Sequence, residues 1–117
     1  MKIIPKVWGY EIVLVSNELY SCKIMAIKGA FQCSIHYHKL KDETFTLLAG
    51  SVRLEHGKSA HFMDQFKQYR IKPGTKHRFA GFCPWSFVLE VATEDKADDS
   101  YRETKSGRIT ENDGYYE

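Results

Sequence analysis

Gly29-Ala30-Phe31-Gln32-Cys33-Ser34-Ile35-His36-Tyr37-His38-Lys39-Leu40-Lys41-Asp42-Glu43-Thr44-Phe45-Thr46-Leu47-Leu48-Ala49-Gly50 is the stretch whose reading decides the fold. Two runs of β-formers, Phe31 to Tyr37 and Glu43 to Ala49, flank a short polar break from Lys39 to Asp42, and a glycine closes each end. The pattern reads as two strands joined by a turn. His36 and His38 are two residues apart, and positions i and i+2 of a strand share a face, about 7 Å apart along the chain. Two imidazoles placed that way can reach a single divalent metal ion. Glu43 opens the second run, so the fold-back brings its carboxylate beside them.

A fourth ligand comes from Lys72-Pro73-Gly74-Thr75-Lys76-His77-Arg78-Phe79. Pro73-Gly74 is a turn signal, and His77 follows it at the mouth of another strand. Three neutral imidazoles and one carboxylate suit Mn, Fe, Ni, Co or Zn, and are too nitrogen-rich for Ca or Mg. The order His-x-His-x4-Glu-x6-Gly, then Pro-Gly-x-x-His, resembles the two signature motifs of the cupin superfamily. The resemblance implies an all-β fold, a double-stranded β-helix or jelly-roll barrel, with His36, His38, Glu43 and His77 as metal ligands.

Composition sets the outer bounds. A chain of 117 residues predicts one domain, and 43% hydrophobic with 14% aromatic residues supplies a core. Seventeen Lys and Arg against 15 Asp and Glu give a net charge of +2 without long blocks, which argues against an electrostatic nucleic-acid binder. No apolar run approaches the roughly 18 residues of a membrane span. Met1 to Lys6 lacks the apolar stretch and cleavage site of a secretory signal. Cys22, Cys33 and Cys83 are odd in number and have no Cys-x-x-Cys spacing. They read as buried thiols in a reducing cytoplasm.

In chain order, Val7 to Val15 is the first expected strand, with Trp8, Tyr10, Ile12 and Leu14 on one face, and Leu19 to Ile27 is the second. Lys23 there shares a face with Met25 and Ile27. In the third, Phe31 to Tyr37, the face expected to hold His36 and His38 also holds Gln32 and Ser34. Glu43 to Ala49 turns at Gly50 into Ser51 to Glu55. His56 to Phe66 reads as a loop or irregular hairpin, and Gln68 to Ile71, His77 to Ala80 and Trp85 to Ala92 complete the set. Short strands with frequent turns point to a sandwich or barrel, and a polar face to a wet interior site. The expected core spans about residues 6 to 92. From 93 to 117 a charged tail, without compact strands, wraps the barrel and then frays.

Beyond the metal motifs, Val7-Trp8-Gly9-Tyr10-Glu11 is similar to the opening of the cupin domain in type II mannose-6-phosphate isomerases. Leu89 to Ala92, Asp98 to Arg102 and Gly107-Arg108 look like that group's C-terminal end. Lys23, thirteen residues before His36, resembles a lysine of D-lyxose isomerases. The pattern departs at three points: six residues separate Gly29 from His36, Lys72 replaces a proline, and Gly81 stands where asparagine is common.

What the resemblance implies is a metal-dependent sugar or sugar-phosphate isomerase working through a cis-enediol. Such an enzyme needs a Lewis acid and a base that takes and returns one proton. Glu90, on a face with Ser86, Val88 and Ala92, is the candidate base. Lys23 is the candidate acid or charge stabiliser, and Arg102 the candidate phosphate clamp. Competing placements stay open: Lys23 snorkelling from a strand end, Glu90 on the outer face, and Arg102 paired with Asp98 or Asp99. His56 and His61 receive no role. The alternatives to an isomerase are a cupin Fe(II) dioxygenase with the same ligands and a non-catalytic sugar-binding module. A homodimer is expected, because small cupins leave sheet edges and aromatic outer faces to cover. Val7 to Val15 is the expected pairing edge.

Overall fold

The structure, a computed structural model, describes residues 1 to 110. Its strands are β1 (Lys2–Lys6), β2 (Gly9–Ser16), β3 (Tyr20–Lys28), β4 (Phe31–Gln32), β5 (His36–Tyr37), β6 (Glu43–Ala49) and β7 (Val52–His56). They continue as β8 (Ser59–Phe62), β9 (Gln68–Ile71), β10 (His77–Gly81), β11 (Trp85–Thr93), β12 (Tyr101–Arg102) and β13 (Gly107–Arg108). One antiparallel sheet runs β1-β2-β3-β11-β6-β9. In the other, β10 is central. The hairpin of β7 and β8 lies along one edge, and β4 and β5 lie along the other, extended by β13 and β12. Among the described residues no helix is long and apolar enough to cross a membrane.

The core fills the space between the sheets with Met25, Ile27, Phe45, Leu54, Phe79 and Val88. Trp8 stands edge-on to Phe79 at 4.9 Å. Alternation along β3 and β11 follows expectation, with Ser21, Lys23, Met25 and Ile27 buried on one strand and Ser86, Val88, Glu90 and Ala92 on the other. Gly50 closes the β6–β7 turn at φ 99°, where a Cβ would run into Ser86. Of the segment from His56 to Phe66, read as a loop or irregular hairpin, Ser59 to Phe62 pairs in even register with β7 across a turn at Gly57.

Four expectations are corrected. The Val7–Val15 segment is not an edge: β2 is flanked by β3 and by β1, whose Pro5 lies opposite Tyr10. A proline is tolerated there because β1 is itself the sheet's outer strand. The inner residues of β2 are Glu11 and Val13. Tyr10 packs on Trp85 outside, and Leu14 is exposed.

The third strand breaks at Cys33 to Ile35. Gln32 lies opposite Ala80 and His36 opposite His77, so four steps on one side face three on the other. The extra residue is a bulge, and it turns Gln32 away from the face that carries His36. Cys33 joins the core instead. Inside the bulge, the backbone N–H groups of Ser34 and Ile35 donate to Ser106 Oγ and Thr104 Oγ1.

The C-terminal segment supplies two strands, β12 against β5 and β13 against β4, with Ile109 buried. The part of the expected tail from 111 to 117 lies outside the described residues.

Candidate metal centre

The pairing of β5 with β10 sets His36 directly opposite His77, so both rings project to one face with centroids 4.3 Å apart. His38 follows just beyond β5, and Glu43 is the first residue of β6. Ligating atoms of His36, His38 and His77 lie within 4.8 Å of one another. Oε1 of Glu43 is 2.8 Å from His77 Nε2 and 3.8 Å from His38 Nε2.

The histidine tautomers follow from their partners. Nδ1 of His36, His38 and His77 donates to the carbonyls of Ser34, Asp99 and Thr75 at 2.8, 2.7 and 2.9 Å. A carbonyl only accepts, so in each neutral ring Nδ1 carries the proton and Nε2 keeps its lone pair. Burial, with the neighbouring His77, lowers the pKa of His36 to about 4, and burial with Lys41 lowers that of His38. Burial alone would raise Glu43, but His77 and Lys41 bring it down to about 2. Nε2 of His77 and Oε1 of Glu43 are buried without a hydrogen-bond partner, while Oε2 of Glu43 faces the ammonium of Lys41. An imidazole nitrogen and a carboxylate oxygen buried 2.8 Å apart, with the Nε2 side of two further histidines beside them, are a donor set that fits a divalent metal.

Beside this group lies a second cluster. Lys23 and Glu90 are directly opposed on β3 and β11, both buried and both lining the same cleft. The snorkelling lysine and the outward glutamate are therefore not what the fold adopts. Lys23 Nζ lies 3.0 Å from Glu11, 3.4 Å from Asp95 and 3.7 Å from Glu90. Lys41 Nζ lies 3.1 Å from Glu43 Oε2, 3.2 Å from Asp95 and 3.5 Å from Glu90. Glu90 is pushed up to about 7 by burial and by the charge of Glu43, with Lys23 and Lys41 opposing. Burial would lower both lysines, but Glu90 first, then Glu11 for Lys23 and Glu43 for Lys41, hold them above the usual lysine range.

Lys41, Glu11 and Asp95 were not among the expected site residues. The i, i+2 spacing of Lys41 and Glu43 is a usable signal. Glu11 was hidden by the apolar residues beside it, and Asp95 carries no local mark.

Arg102 sits on β12 opposite His36 and is exposed. It is not paired with Asp99, whose carboxylate accepts the backbone N–H groups of Lys39, Leu40 and Lys41. His56 lies opposite His77 on the β7 side and forms an edge-on pair with His61 at 5.1 Å. The open cleft over the histidines has a volume of about 1150 Å³.

No protein-family profile matches the sequence, and no curated protein does. Solved structures do match. KdgF from Halomonas sp. superposes with a TM-score of 0.70 at 12% identity, covering 76% of this chain and 81% of that one. Oxalate decarboxylase from Bacillus subtilis gives 0.74 at 16%, covering 87% and 30%. The capsular polysaccharide assembling protein CapF from Staphylococcus aureus gives 0.73 at 15%, covering 86% and 33%. The chain spans about a third of the length of the latter two. At these identities the likeness shows the fold, and that fold is the cupin jelly roll.

Proposed function

We propose that this protein is a metal-dependent sugar or sugar-phosphate isomerase that interconverts an aldose and a ketose through a cis-enediol. The observation that carries the reading is the buried lysine–carboxylate cluster of Lys23, Lys41 and Glu90, set beside Glu43 at the floor of the cleft that His36 and His38 also line. His36, His38, His77 and Glu43 would hold the ion, which when bound supplies a Lewis acid for the sugar's carbonyl and hydroxyl oxygens.

The remaining chemistry belongs to the chain. Glu90, with a pKa of about 7, can take a proton from one sugar carbon and return it to the next near neutral pH. Lys23 and Lys41 stay ammonium ions because their pKa values are raised, so they stabilise negative charge on the enediolate rather than give up protons. Glu11 and Asp95 hold the two ammonium groups in place. A dioxygenase can work in an apolar pocket, and the ionised groups on this floor weigh against that reading.

The test is solvent deuterium exchange, followed by NMR on metal-loaded protein over pentoses, hexoses and their phosphates. One sugar should gain a single deuteron as its ketose forms. Absence of exchange across the panel overturns the reading.

A homodimer belongs to the same proposal, because the outer face of the first sheet exposes Leu14, Tyr20 and Val91. Light scattering at micromolar concentration should return twice the chain mass of 13.6 kDa. A monomer refutes it.

A further inference from the structure

We infer that the substrate of this site carries a carboxylate or phosphate, held at the cleft mouth by Arg102 together with Lys2 and Lys6. The inference rests on the proposed function for where the sugar binds, and it goes further by fixing the substrate's charge.

Seven Lys and Arg side chains line the cleft against four carboxylates. With Glu43, which contacts Lys41 beneath them, the surplus is two, equal to the net charge of +2 carried by the whole chain, so the molecule's excess positive charge sits at this cleft. The four acids are already engaged. Glu11, Glu90 and Asp95 face Lys23 or Lys41 on the floor, and Glu103 pairs with Lys76 at 2.6 Å. At the mouth, Lys2, Lys6, Arg102 and Lys105 line the cleft without an ion-pair partner among the described residues. A concave wall of one sign draws and concentrates ions of the other.

The strands aim these groups. Lys2, Ile4 and Lys6 alternate along β1 and line the cleft together. Arg102 is the cross-strand neighbour of His36, with Cα atoms about 4.5–5.5 Å apart by antiparallel geometry. Its guanidinium therefore leaves the sheet on the face that carries a metal ligand. A guanidinium matches carboxylate and phosphate oxygens two at a time. With an ion held by His36, His38, Glu43 and His77, one end of the sugar would sit there and the charged end at Arg102.

Calorimetry on the zinc-loaded full chain tests this without turnover. The probes are a neutral hexose, its hexuronate and its 6-phosphate, titrated into wild type, Arg102→Gln and Lys6→Gln. At least one charged probe should bind about tenfold or more tightly than the neutral hexose. That advantage should shrink about tenfold in Arg102→Gln, shrink less in Lys6→Gln, and weaken with added salt. Which charged probe binds better distinguishes phosphate from carboxylate. Equal binding of neutral and charged probes, no binding by either charged probe, or an unchanged preference in Arg102→Gln overturns the inference. Tight charged-probe binding without deuterium exchange defeats the isomerase reading and leaves this one standing. Exchange on a neutral sugar, with no charge preference, does the reverse.

Discussion

The ammonium of Lys41 lies 3.1 Å from Oε2 of Glu43, while Oε1 of the same carboxylate lies 2.8 Å from His77 Nε2. The two oxygens of Glu43 thus have separate duties. One faces the histidines, and the other is tied to a lysine that also reaches Glu90. Lys41 joins the metal centre to the cluster that would move the proton.

Lys41→Met should therefore cost far more than a surface lysine would. Its side chain is 4% exposed and that of Glu43 is 1% exposed, so the substitution leaves buried carboxylates without their cation. Breaking a buried pair costs about 3–5 kcal/mol. Urea unfolding in the presence of a chelator should show a loss of that order. A loss under about 1 kcal/mol would mean that the lysine is not what balances Glu43 and Glu90.

Metal binding should stabilise the fold by mass action. At a free zinc concentration about a thousandfold above Kd the gain is about 4 kcal/mol, read as a rise in thermal midpoint with one ion bound per chain. His77→Ala and His36→Ala should each lose most of that increment, whatever they do to the chelated protein. An equal zinc-dependent rise in both variants counts against the assigned ligand set.

Much of this was legible in the sequence, and the gaps have physical causes. Which residues share a face on β3 and β11 followed from alternation, but alternation alone left open whether the face of Glu90 turns inward or outward. The phase of β2 did not follow, because Tyr10, Ile12 and Leu14 form an apolar outer face that resembles a core face, while the inner Glu11 is satisfied by Lys23 from the next strand. The bulge at Cys33 to Ile35 was invisible locally. Its backbone donors are satisfied by Ser106 and Thr104, 72 and 69 residues away. His36, His38, Glu43 and His77 lie together in the fold, since turn and strand signals place each one. Lys41 looked like part of a solvated turn, and nothing within that turn reveals that Asp99 folds it inward through three backbone N–H groups.

Asp99→Ala should loosen that loop. The carboxylate collects three charge-assisted bonds, and the backbone carbonyl of the same residue accepts from His38 Nδ1. Hydrogen bonds to a charged group are worth about 1.5–3 kcal/mol each and do not add fully. A stability loss of about 2–3 kcal/mol is expected, with zinc affinity down about tenfold as His38 loses its fixed orientation. Asp99→Asn keeps one accepting oxygen and should fall between. Zinc affinity equal to wild type in the alanine variant would detach this loop from the metal centre.

Glu90 makes a pH prediction whose sign is fixed. Its pKa in the fold is about 7 against an ordinary 4.5, so between those values the folded state holds a proton that the unfolded chain releases. Stability from this group is complete below pH 4.5 and is lost as pH rises through 7, by on the order of 3 kcal/mol. Glu43 acts outside that window: its contribution is present above 4.5 and disappears as pH falls through about 2. His36, lowered from 6.5 to about 4, works against Glu90 by stabilising the fold as pH rises, and His38 acts in the same sense. The histidine contributions cancel when wild type is compared with Glu90→Gln. With a chelator present, the stability of wild type minus that of Glu90→Gln should fall steadily from pH 4.5 to 7.5. A difference that stays flat, or that rises, means that Glu90 is ionised throughout and is not the group that can take and return a proton near neutrality.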